Sequence, residues 1–164
     1  MKRIISILIE NESGALSRVV GLFAQRGYNI DTLTVAPTDD DTLSRLTLTT
    51  QGDDHMAEQI VKQLHKLIDT IKVVDLTQGA YIERELMLVK IKATESEIRR
   101  ELKSSVEIFR GHIIDVTPAT YTVQLAGDSE KLDAFIEAVR EMGIMEVVRS
   151  GVSGIARGDK FLRV

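Results

Sequence analysis

Two short stretches, Asn11-Glu12-Ser13-Gly14-Ala15-Leu16 and Asn29-Ile30, hold the residues with the most chemistry to offer. A strand-to-helix junction over Asn11–Leu16 presents the unpaired N–H groups of a helix start. Those groups, with the helix dipole behind them, receive a carboxylate. Gly14 lets a ligand approach the backbone with no Cβ in the way. Asn29, placed at the start of the next strand, both donates and accepts hydrogen bonds, which suits a ligand carrying two opposite charges. The same stretch also reads as a capped helix with a glycine stop, Ser13 the N-cap and Gly27 the C′ residue, and composition alone favours that reading.

Other chemistries find less support. The three histidines, His55, His65 and His112, fall in different elements, and no pair has the HxxxH spacing of two ligands on one helix face. No GxSxG elbow is present, and the absence of cysteine removes disulfides, thiolate metal sites and thiol nucleophiles together. Asp39-Asp40-Asp41 reads as a solvated turn. Neither a catalytic set nor a metal site is expected. A net charge of −4 and only seven Phe and Tyr residues argue against nucleic acid. The strand that would stack bases, Leu43–Thr49, has no aromatic. The glycine-bearing tail Ser150–Lys160 lacks GxxxxGK[ST] spacing and reads as a mobile or partner-docked segment. No apolar run reaches membrane-spanning length, and MKRIISILIE lacks a signal peptide's apolar core and cleavage site, so a cytoplasmic protein is expected.

The elements that must position these residues follow from hydrophobic period. Arg3–Glu10 alternates as a strand with Ile5, Ile7 and Ile9 on one face. Leu16, Val19, Val20 and Phe23 repeat at helical spacing. Strands are expected over Tyr28–Ala36 and Leu43–Gln51, the latter with one buried face. A helix capped by Asp53 or Asp54 follows, then a strand from Ile71 to Leu76. That order is βαββαβ, the ferredoxin-like plan. It repeats as a strand over Glu85–Lys92, a helix with Thr94 and Glu97 as capping box and Gly111 as stop, and a hairpin around Pro118. A helix capped by Asp128 or Ser129 and a strand over Ile144–Val148 complete it. The fold class is α+β, two tandem ferredoxin-like domains divided as 1–77, a linker at 78–83, and 84–164. On that division the first piece should remain soluble alone.

NESGALSRVVGLFAQRGYNI, followed by DTLTVAPT and LSRLTL, resembles the ACT domain of the small, regulatory subunit of acetolactate synthase (acetohydroxyacid synthase). EIFRGHIIDVT, YTVQLAG and RSGVSGIARGDK resemble that subunit's second domain, so the likeness spans nearly the whole chain. It implies a non-catalytic protein that activates a large catalytic subunit and confers feedback inhibition by valine in branched-chain amino acid biosynthesis. Thiamine diphosphate, Mg²⁺ and FAD would belong to the large subunit, and no cofactor to this chain. It further implies a homodimer through the ACT domain, with valine between Asn11, Glu12, Ser13, Gly14, Ala15 and Leu16 of one copy and Asn29 and Ile30 of the other. A free-standing ACT-domain amino-acid sensor acting on another target is the alternative.

Overall fold

The computed structural model describes all residues, 1–164, which divide into two compact units: Met1–Ile82 with Gly151–Val164, and Glu83–Ser150. In the first unit, β1 (Lys2–Glu10), α1 (Ala15–Gln25), β2 (Thr32–Pro37), β3 (Leu43–Gln51), α2 (Asp54–Leu64) and β4 (Thr70–Asp75) follow in the βαββαβ order. Their antiparallel sheet has the order β2-β3-β1-β4. Ile5, Ile7, Ile9, Leu46 and Leu48 meet Val19, Phe23, Ile60 and Leu64 in one core between sheet and helices.

The end of α1 shows why Tyr28 does not open a strand. Gly27, at φ +69, takes the left-handed conformation, and the Tyr28 N–H reaches back to the Phe23 carbonyl at 3.0 Å while Gly27 N–H bonds Ala24. This is a Schellman closure, completed by edge-on packing of Tyr28 on Phe23. Tyr28 is thereby spent on the helix end. Pairing with β3 begins only at Asp31, whose N–H donates to Thr49, and β2 starts at Thr32.

The start of α1 also departs from expectation. Ser13 does not cap it; Gly14 occupies the N-cap at φ +87, and no side chain bonds the helix start. Asp53, by contrast, caps α2 by accepting from the Met56 N–H.

Strands β1 and β3 are buried on both faces, not one. Beyond the leucines and isoleucines, Ile4, Ser6, Leu8, Thr47 and Thr49 are buried as well. The cover on that second face is the C-terminal segment. Val152, 1% exposed, packs with Ile4 and Leu76. The short strand β9 (Ser153–Ala156) follows it, and Arg157 donates its N–H to Ala80 at 2.9 Å. Gly151 and Gly154 permit this: a Cβ on Gly154 would lie 2.7 Å from Leu76 Cδ1, and one on Gly151 3.2 Å from Thr34 Cγ2. The tail therefore belongs to the packing of the first unit, where the sequence placed it with the second domain as a mobile or partner-docked piece.

The second unit repeats the plan with β5 (Tyr81–Lys92, entering from the first unit), α3 (Ser96–Ile108), β6 (His112–Val116), β7 (Thr120–Gly127), α4 (Ser129–Val139) and β8 (Ile144–Arg149), in sheet order β6-β7-β5-β8. Met87, Val89, Ile91, Leu102, Val123, Leu125 and Phe135 form its core. Asp128 caps α4 as expected. The Thr94–Glu97 capping box does not form; Glu95 is the N-cap, without a side-chain bond. Nor is Gly111 the left-handed residue after α3: Arg110 is, at φ 57, with Gly111 N–H closing onto Val106. Gly111 is small for another reason, since a Cβ there would come 3.0 Å from the Gln124 carbonyl.

Candidate functional site

The loop from β1 into α1 is held from its neighbours. Asn11 N–H donates to the Thr42 carbonyl and Asn11 Nδ2 to the Asp41 carbonyl, both at 2.8 Å, which locks the loop to the β2–β3 turn. The Asn11 amide group is thus already engaged as a donor and leaves its oxygen as acceptor. Ala15 N–H bonds Glu12 at 3.3 Å, and the first helical bond runs from Arg18 N–H to Gly14 at 3.0 Å. With no side-chain cap on α1, the N–H groups at Leu16 and Ser17 depend on solvent or a ligand.

Arg18 is the residue that motif reading overlooked. Four positions after Gly14, it returns to the same helix face. Its guanidinium lies against Gly14, close enough that a Cβ there would be 3.1 Å from Nη1. Its Nε bonds Asp69 at 2.5 Å. The hydrogen bond to Asp69, reinforced by that carboxylate's charge, raises the Arg18 pKa above the ordinary guanidinium value. The i,i+4 spacing was the available signal; Asp69, fifty residues on, was the part only the fold supplies. Carboxylates of Glu10, Glu12 and Asp69 gather within 4.8 Å of one another beside it. The corner therefore offers N–H groups and a guanidinium to an anion, and carboxylates to a cation. A zwitterion needs both.

Asn29 and Ile30 lie elsewhere. Ile30 packs onto the helix-side core, and Asn29 is exposed, donating from Nδ2 to Asp31 Oδ1 at 2.7 Å while its carbonyl accepts from Thr50. The sequence placed both in the strand Tyr28–Ala36; in the structure both precede β2, which starts at Thr32. Register then fixes their distance from the loop. Glu10 pairs with Leu43 at one end of β3, whereas Asp31 bonds Thr49 near the other. Six residues of strand separate those points, roughly 20 Å at about 3.3 Å per residue. One chain does not bring the two halves of the expected site together.

A second copy related by a two-fold axis at the β2 edge would. Such an axis, if perpendicular to the sheet, reverses strand direction and sets the Asn29 end of one copy toward the Asn11 end of the other. Strand β2 is an outer strand of the sheet. Val35 on it, and Leu16 and Val20 on α1, are exposed by 38–39%. Unpaired strand edges with apolar neighbours invite association.

Residues 5–72 match a family model described as the AHAS small subunit-like ACT domain, and residues 84–158 match one described as the small subunit of acetolactate synthase. The chain is 64% identical over 164 residues to the acetolactate synthase isozyme 3 small subunit of Escherichia coli, covering 99% of this chain and 100% of that one. Identity to the acetolactate synthase small subunit of Haemophilus influenzae is 57% over 161 residues, 98% of each chain. A crystal structure of the acetolactate synthase small subunit from Thermotoga maritima is similar with a TM-score of 0.87 at 35% identity, covering 98% of this chain and 99% of that one.

Proposed function

Since the chain belongs to the family of acetolactate synthase small subunits, we propose that it is a non-catalytic regulatory subunit that activates a large catalytic subunit and makes it sensitive to valine. The observation that carries the effector reading is the separation of the two half-sites along β3. In a two-fold dimer, Asn11–Leu16 of one copy meets Asn29 and Ile30 of the other.

In that site the valine carboxylate takes the N–H groups at the start of α1, with Arg18 beside it. The ammonium takes carboxylate and amide oxygens, among them Glu12 and the Asn11 oxygen. Gly14 keeps the backbone approachable. Valine then changes activity because it binds one dimer arrangement better than another, and its leverage equals that difference in affinity. Thiamine diphosphate, Mg²⁺ and FAD belong, on this reading, to the large subunit.

Reconstitution tests it. The purified chain with pyruvate, thiamine diphosphate and Mg²⁺ forms no acetolactate. Added to a large subunit, it raises that subunit's turnover, and valine lowers it again. Acetolactate formed by this chain alone, or a large subunit indifferent to its addition, overturns the proposal.

A further inference from the structure

A cavity of about 420 Å³ opens on the face of the first unit's sheet opposite the helices. Arg45 and Thr47 of β3 line it with Thr34 and Ala36 of β2, their cross-strand partners, and Ser153 and Ile155 of β9. Arg45 is half-buried, and its Nη2 donates to the Gly154 carbonyl at 2.8 Å, leaving most of its five donors available. No carboxylate lines the cavity. Two other arginines of this unit are balanced, Arg3 by Asp54 and Asp75 and Arg18 by Asp69. Arg45 has no such partner, and burial, with no charged neighbour to offset it, lowers its pKa from the ordinary guanidinium value. The guanidinium stays protonated all the same. A cation taken partly out of water without a counter-charge is unfavourable, and an anion entering the cavity relieves that.

We propose that this cavity binds a small monocarboxylate bearing a short alkyl group and no amino group. Its carboxylate bonds Arg45 and the Thr47 hydroxyl, a charge-assisted contact of the stronger kind. Its alkyl group lies against Ala36, Ile155 and the methyl of Thr34. An amino acid fits poorly, because its ammonium would sit beside a guanidinium with no carboxylate to receive it. The proposal concerns different residues from the valine site and stands or falls without it.

Isobutyrate is the probe, titrated into the full-length chain and followed by NMR at the Arg45 Nε–H and the methyl groups of Ala36 and Ile155. Saturable shifts at all three are expected, with affinity for valine at these residues weaker by at least about tenfold and the same loss for isobutyramide. Arg45→Met should weaken isobutyrate by at least about tenfold, and Arg45→Lys by less. If Arg45→Met fails to fold for want of its bond to Gly154, the wild-type titration decides alone. Inorganic phosphate that shifts Arg45 while isobutyrate does not would overturn the alkyl-carboxylate assignment. Absence of any shift would overturn the site.

Discussion

Gly14→Asp is expected to leave the assembled enzyme active and its valine inhibition curve displaced by about 100-fold, the equivalent of about 3 kcal/mol. The introduced carboxylate would stand where the effector's carboxylate meets the start of α1, and like charges in a partly desolvated site repel by several kcal/mol. It would also bond Arg18, whose guanidinium already lies against Gly14, and so draw that cation away from the effector. Gly14 stands at φ +87, so any replacement adds strain of about 1–2 kcal/mol in the folded state. Gly14→Ala carries that strain and the same Cβ without the charge. It separates the two effects: a displacement well below that of Gly14→Asp assigns the remainder to repulsion. Asn29→Ala should act in the same direction more mildly, since it deletes hydrogen bonds without adding charge. The check is valine titration of each reconstituted enzyme, with activation by the variants as the control for folding. An unmoved curve for Gly14→Asp puts the effector elsewhere.

Ending the chain at Ser150 is expected to cost the first unit about 4 kcal/mol. Val152 is fully buried, and an aliphatic side chain so placed contributes about 1.5–3 kcal/mol; its removal also uncovers Ile4 and Leu76. Bonds from Arg45 to Gly154 and from Arg163 to Asp39 go with it. Set against a domain stability of about 5–15 kcal/mol, the loss leaves the unit marginal. A piece covering only 1–77 inherits the same defect, so the expectation that it stands alone does not follow from this packing. Urea unfolding of the full and shortened chains measures the effect. Val152→Asp, which keeps the tail but places a carboxylate in the apolar contact, should reproduce much of it. Equal midpoints for the three proteins would mean that the tail is not part of the core.

Both results bear on what a sequence can display. The order of strands and helices was legible in both halves because each element carries its own period: Ile5, Ile7 and Ile9 alternate, and Val19 and Phe23 recur one turn apart. The caps at Asp53 and Asp128 were legible because the signal is local. What was lost depends on partners far along the chain. Alternation along Leu43–Gln51 marks one face as apolar, but whether the threonines opposite are wet is decided by the C-terminal segment that covers them, about a hundred residues away. Ser153–Ala156 has three small residues and no alternation of length, so its pairing is invisible until the edge it lies against is known. At Arg110 the closing bonds of the helix end outweigh the steric preference for glycine, which moved the expected left-handed position by one residue. The site was half legible. Loop and facing residues stand out by type, whereas Asp69, which fixes Arg18, and the distance along β3 emerge only from the fold.

That distance makes the central claim testable by mixing. If each effector site takes its loop from one copy and Asn29 from the other, then Gly14→Asp and Asn29→Ala chains damage opposite halves. In a heterodimer both lesions fall in the same site, and the second site is wholly wild type. The two variants are unfolded and refolded together, and valine binding is measured calorimetrically at a concentration where neither variant binds alone. Random pairing makes half the dimers mixed, each with one intact site of two, so about a quarter of the wild-type capacity should return. A mixture that binds no more valine than its separate components would contradict a site shared between copies.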